Sequence, residues 1–197
     1  MGRTKREQSE ATIRLLVDVA TQLFAERGYH GVGLEEVARR AQVTRGALYH
    51  HFDSKQGLFG VVLERVQQDV AERVLLAASR APDRWNALVE GCHAFMAATT
   101  DHRVRRIMLV DAPSVLGWQQ WRQTDAANSA RLLEQALLEL EDEGTIAPGF
   151  GQPAARLLSG AMNEAALWVA ESSDGAGNSA AAGVVLDRLL DSLRTSP

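Results

Sequence analysis

The sequence has one cysteine, Cys92, so an intrachain disulfide is impossible and a reducing compartment suits the chain. Nowhere do about 18 apolar residues run together without a charge, and Met1 to Glu10 is polar with no apolar signal core behind it. These absences lead to the expectation of a cytoplasmic protein with no membrane partner. Metal-ligand spacings, a glycine-rich phosphate loop and a nucleophile motif are also missing. His93, Asp111 and the His50-His51 pair could act as acid–base groups, but nothing around them in the sequence makes an enzyme. Neither a metal nor a cofactor is expected. Five prolines in 197 residues leave long stretches uninterrupted, and Ala, Leu, Glu and Arg dominate them, which favours helices over strands. Apolar residues make up 46% of the chain, enough for a substantial core, and an all-α fold is predicted.

A net charge of −4 argues against a nucleic-acid partner until its distribution is considered. Residues 1–52 hold eight Lys/Arg and six Asp/Glu, a surplus of +2, which leaves −6 for the remainder. This modest asymmetry fits two parts with different partners, though solvated helices often carry charge for solubility alone.

Helical periodicity divides the chain. Ile13, Leu16, Val17, Ala20, Leu23 and Phe24 share one face of a first helix over 9–27, with Ser9 as N-cap and Gly28 just past its end. A second helix is predicted over 34–41; Gln42 and Val43 join it to a third, which Thr44 caps and which runs to His51. Two short helices joined so tightly form a helix-turn-helix. Asp53 and Gln56 have capping-box spacing at the start of a long helix over 54–78. At helical rise it is about 37 Å long, enough for a mechanical link between the two parts. Beyond Pro82 a helix is predicted to Thr99, then others over 103–110, 117–143, 153–171 and 180–193. A stop is expected before Pro113, a turn at 145–149 and a mobile loop over 172–179.

The stretch Thr44-Arg-Gly-Ala-Leu-Tyr-His-His-Phe52 holds most of the functional signal. At about 100° per residue Leu48 and Phe52 point inward together, while Gly46 and His50 face out with Ala47 and Tyr49 on the shoulders. Small residues near the start of an exposed helix let its backbone come close to a surface, and a DNA major groove is one that such a helix fits. Tyr49 adds a rigid ring with a hydroxyl donor that can reach a phosphate. Lys55 lies in the first turn of its helix, where a cation opposes the macrodipole and asks for a compensating anion. A helical carrier or adaptor would leave Arg45, Tyr49 and Lys55 without a role.

Through Ala20, Phe24, Gly28-Tyr29, Glu36-Val37-Ala38, Gly46, Leu48-Tyr49, His51-Phe52 and Lys55, the sequence resembles the tetracycline-repressor (TetR) family of bacterial regulators over about residues 10–60. The resemblance implies that Thr44 caps a reading helix from which Arg45, Gly46, Ala47 and His50 approach base edges. Tyr49, His51 and Lys55 would hold phosphates. One departure precedes the second helix: many members have two hydroxyl residues where this chain has Val32-Gly33, and a Val side chain cannot donate to a phosphate. The segment from Asp111 to Trp121 resembles one found in a subset of the family.

By this resemblance, residues 1–55 form a helix-turn-helix DNA-binding domain, and residues 56–197 a ligand-binding and dimerisation domain. Trp85, Cys92, Phe95, Met96, Met108 and Met162 are large groups on helices expected to converge, with Trp118, Trp121 and Trp168 beside them. Each alone reads as core; together they are a candidate pocket for a small apolar or amphipathic effector, with His93 and Asn163 as polar handles. Cys92 reads as part of that apolar stripe rather than as a redox sensor. Small residues such as Ala161 and Ala165, with Leu157, Val185, Leu186, Leu189 and Leu193, suit the four-helix homodimer interface that the resemblance implies. The expectation is a ligand-responsive repressor of a palindromic double-stranded operator, the alternatives being an activator or a regulator without a ligand.

Overall fold

The computed structural model describes residues 4–195, so Met1–Arg3 of the expected DNA-binding domain lie outside the described residues. Its helices are α1 (Lys5–Arg27), α2 (Leu34–Arg40), α3 (Arg45–His51), α4 (Lys55–Ala78), α5 (Arg84–Thr100), α6 (His102–Arg105), α7 (Ala112–Leu116), α8 (Trp118–Ala126), α9 (Ser129–Asp142), α10 (Gly151–Glu171) and α11 (Gly175–Asp191). A π-helical turn, Arg106–Asp111, separates α6 from α7. The fold is all-α, and among the described residues none of these helices is long and apolar enough to cross a membrane.

Packing separates two compact units: the described residues up to Val66 with His102–Trp121, and Gln67–Asp101 with the described residues from Arg122 onward. The units divide after Val66, so α4 gives its first half to one unit and its second half to the other. Residues 102–121, grouped from the sequence with the C-terminal domain, pack with the N-terminal helices.

In the first unit α1 starts earlier than the predicted Ser9 cap. Glu7 N–H donates to Thr4 Oγ1 (3.2 Å) and Thr4 N–H to Glu7 Oε2 (2.7 Å), a reciprocal capping box that needs no apolar residue. At its other end Gly28 has φ +70°, and a Cβ there would collide with the Arg106 guanidinium. Phe24 meets Phe59 edge-on with ring centroids 5.2 Å apart, and Tyr29 meets Phe59 at 5.1 Å. Leu16, Leu23, Leu48, Leu58, Leu63 and Ile107 are buried too, each worth about 1.5–3 kcal/mol of transfer free energy. Ser54 opens α4 in place of the predicted Asp53 box: its Oγ accepts from Gly57 N–H (3.0 Å), while Gln56 donates to the Val115 carbonyl (3.3 Å). Pro113 does not stop a helix here. In the π-helical turn before it, Ala112 N–H bonds to the Ile107 carbonyl, and Pro113 then lies in the first turn of α7, where a missing N–H is harmless.

The second unit packs α10 against α9, α5 and α11, around Leu88, Phe95, Leu137, Leu140, Leu158, Met162, Leu186 and Leu190. The single helix predicted over 117–143 is interrupted at Ala127-Asn128. Asn128 Nδ2 donates to Gln67 Oε1 (3.2 Å) and to the Thr124 carbonyl (2.9 Å), an arrangement that competes with a continuous backbone ladder. The loop predicted over 172–179 is largely helix: Asp174 Oδ1 accepts from Gly177 N–H (3.0 Å), and Ser172 Oγ accepts from Asp174 N–H and Asn178 Nδ2. Capping thus extends α11 back through glycines whose intrinsic preference is against helix.

Candidate functional site

The reading helix follows directly from local chemistry. Gln42 takes φ +55° in the turn, Val43 N–H bonds back to the Ala38 carbonyl (3.0 Å), and Thr44 Oγ1 accepts from Ala47 N–H (3.1 Å). Leu48 and Phe52 are buried, while Thr44, Arg45, Gly46, Tyr49 and His50 are exposed and Ala47 and His51 half-buried. A Cβ on Gly46 would meet nothing nearer than Thr44 Oγ1 at 4.0 Å. The fold itself does not require glycine at this position. Arg45 pairs with Glu35 of α2 (2.7 Å) and lies 5.4 Å from the Tyr49 ring centroid. The His50 and His51 rings are 5.1 Å apart.

Lys55 finds its compensating partners within the protein. Its Nζ donates to the carbonyls of Tyr29 and Val32, each at 3.0 Å, and stands 4.2 Å from the Tyr29 ring centroid. The α1–α2 connection therefore supplies the negative ends that the sequence argument assigned to a phosphate. Buried Asp111 fixes the same connection, its Oδ2 accepting from Tyr29 N–H (2.8 Å) with Arg106 Nε 3.4 Å from Oδ1. Val32 is buried, and Gly33 precedes α2 without a side-chain cap.

A cavity of about 220 Å³ lies in the second unit, walled by Val74, Leu75, Leu88, Gly91, Cys92, Phe95, Leu132, Leu133 and Met162. Of the residues proposed from sequence, Cys92, Phe95 and Met162 line it. Met96 and Trp168 line a groove on the α10–α11 side instead, and Met162 borders both spaces. Met108, Trp118 and Trp121 belong to the first unit, where Trp121 Nε1 donates to the Met108 carbonyl (2.9 Å) and Trp118 is exposed. Neither space is lined by Trp85, His93 or Asn163. Trp85 lies under the Arg194 guanidinium (5.0 Å), His93 Nε2 is 2.6 Å from Asp187 Oδ1, and Asn163 is buried. Burial, with the charge of Asp187 assisting, pushes the Cys92 thiol up to about 12, so it is not a reactive thiolate.

The buried polar cavity residues, Asp125, Ser129 and Ser159, are not among those proposed from sequence. The break at Asn128 puts Asp125 at the end of α8 and Ser129 at the start of α9, and no sequence pattern signals that break. Burial pushes the Asp125 carboxyl above its ordinary value, against the opposing influence of Arg122 and a hydrogen bond with Ser159.

The groove between α10 and α11 is apolar and open, with Ala161, Ala165, Ala181, Val185 and Leu189 on its walls. Leu157, which does not line the groove, is 75% exposed, and Val185, which does, is 56% exposed. Leu186, expected at an interface, is only 5% exposed and belongs to the core of its own unit, while Leu193 is half-buried just past α11.

A helix-turn-helix whose second helix has an exposed outer face, in a chain that also has a helical unit holding a cavity, defines a DNA-binding regulator. Residues 16–62 match the family described as bacterial regulatory proteins, tetR family, and residues 85–193 match the tetracyclin repressor-like C-terminal domain. The chain belongs to the TetR family of transcriptional regulators. It is 27% identical over 116 residues to the transposon Tn10 TetC protein of Escherichia coli, covering 59% of this chain and 58% of that one. To the regulator AcrR of Shigella flexneri it is 33% identical over 110 residues, 55% and 51% of the two chains. The chain thus spans about half the length of these curated relatives. Among solved structures, a TetR-family regulator from Pectobacterium atrosepticum is 31% identical with a TM-score of 0.81, over 99% of this chain and 100% of that one. A SmeT–triclosan complex is 25% identical with a TM-score of 0.73, over 94% and 93%.

Proposed function

We propose that this regulator is a repressor that binds a palindromic operator as a homodimer and is released when a small apolar or amphipathic effector occupies the cavity of the second unit. The observation that carries this reading is the cavity itself: a space of about 220 Å³ with apolar walls and a few polar groups, in the unit that does not hold the reading helix. A structure of similar fold, SmeT, is a complex with triclosan. On the DNA side, Arg45, Gly46, Ala47 and His50 meet base edges, and Tyr49 and His51 meet phosphates. The exposed apolar groove of α10 and α11 suits the same groove of a second copy. An effector would press on Val74, Leu75 and Ala78, all on α4, whose first half belongs to the unit that holds the reading helix, and so disturb the spacing of two reading heads about 34 Å apart.

The test is a gel shift with DNA flanking the gene, at low and high salt, together with sedimentation of the free protein. Dimers that shift one palindromic fragment, and release it on addition of a lipophilic compound, support the reading. A monomer at micromolar concentration, or equal binding to all fragments, overturns it.

A further inference from the structure

We propose that the cavity selects elongated lipophilic amines, taking the cationic head at a polar end formed by Asp125 and Ser129 and the apolar tail along α9. This inference rests on the reading of the cavity as an effector site and adds the chemical class.

The shape comes from α9. Ser129, Leu132, Leu133, Ala136 and Glu139 all line the cavity, a helical spacing that puts one face of α9 along its length. Ser129 and Glu139 are ten residues apart, a rise of about 15 Å. At the Glu139 end the wall is solvated: Arg84, also a lining residue, pairs with Glu139 (3.2 Å), and both are exposed. At the Ser129 end the wall is closed. There Asp125 is 4% exposed and Ser129 8%.

The chemistry comes from what those two side chains lack. Ser129 Oγ is buried without a hydrogen-bond partner, a state that costs free energy unless a ligand supplies one. Asp125 has Ser159 as one partner and the nearby charge of Arg122 as partial compensation, yet burial still works against its ionised form. An ammonium head removes that penalty by pairing with the carboxylate, and its N–H groups can also donate to Ser129 Oγ. A carboxylate ligand would put a second negative charge into an apolar enclosure, and an alcohol would satisfy one hydrogen bond without neutralising the acid. The remaining walls, from Val74 and Leu75 through Leu88, Phe95 and Leu133, accept hydrocarbon.

Matched ten-carbon probes test this on the full-length protein, by calorimetry below their micellar concentrations: decylamine, decyltrimethylammonium, decanol and decanoate. Decylamine should bind roughly tenfold to a hundredfold more tightly than decanol, as for a charge-assisted hydrogen bond in a buried site, with decanoate weakest. Asp125→Asn should bring decylamine down to the level of decanol and leave decanol unchanged. Ser129→Ala should weaken decylamine but not decyltrimethylammonium, which has no N–H to donate. Decanoate binding as well as decylamine in the wild-type protein would overturn the proposal whether or not any variant folds, as would an amine preference that survives Asp125→Asn. If decanol and decanoate bind and decylamine does not, the effector site stands and its cationic preference falls. If no probe binds, the effector-site reading fails as well.

Discussion

Tyr49 and His50 are neighbours on the exposed face of α3, but the proposed function gives them different relations to a duplex. A base contact carries sequence information and a phosphate contact does not. His50→Ala should relax preference at one operator position and cost about 1–3 kcal/mol there, whereas Tyr49→Phe should weaken binding evenly on specific and random DNA. Competition gel shifts against single-base operator variants separate the two, and equal losses on every sequence in the His50 variant would remove it from the groove. Lys55 is a third case. Losing its ammonium removes a donor from both carbonyls and leaves Tyr29 O with only the longer bond from Val32 N–H (3.4 Å), so Lys55→Ala should lower stability by about 1–3 kcal/mol, read as a fall in Tm. The salt dependence of DNA binding should stay as it was; a slope reduced by about 0.9 would put Lys55 against a phosphate after all.

Among the elements, the α9–α10 connection depends on one carboxylate. Glu141 accepts from Gly149 N–H (2.7 Å) and Gly151 N–H (2.6 Å), and these bonds hold its carboxyl below the usual glutamate range. Folding therefore favours the ionised form: the stabilisation is present above the unfolded-state pKa and is lost as pH falls through the lower folded-state one. Glu141→Gln should flatten that part of the acid-unfolding curve followed by circular dichroism, and an unaltered curve would mean the two bonds contribute nothing. Elements built from neighbouring residues were legible in the sequence, as with Thr44 capping α3 or Leu48 and Phe52 turning inward. The break at Asn128 was not, because it depends on Gln67, 61 positions away. Nor was the cavity. Large apolar side chains identify themselves as buried but not as to where, so Met108 and Trp121 were grouped with Phe95 although they pack in the other unit. The polar groups buried there, Asp125 and Ser129, look like surface residues until the chain turns between them.

At the scale of the whole molecule, the acidic chain has its reading helix on one unit and an open apolar groove on the other. Two substitutions one residue apart test whether a second copy covers that groove. Val185→Glu places a charge on the exposed wall and should yield folded monomers with weak operator binding, whereas Leu186→Glu buries the charge and should unfold the unit. Sedimentation with circular dichroism distinguishes these outcomes, and a Val185 variant that remains dimeric with full operator affinity would refute the interface. The single thiol gives the molecule a clock. Cys92 lines the cavity, and burial keeps its thiol protonated at neutral pH while the unit is closed. Alkylation must therefore wait for the unit to open, and its rate counts those openings. An occupant that holds the cavity shut would slow the reaction in proportion to its occupancy, which makes labelling kinetics a direct measure of how often an effector could enter.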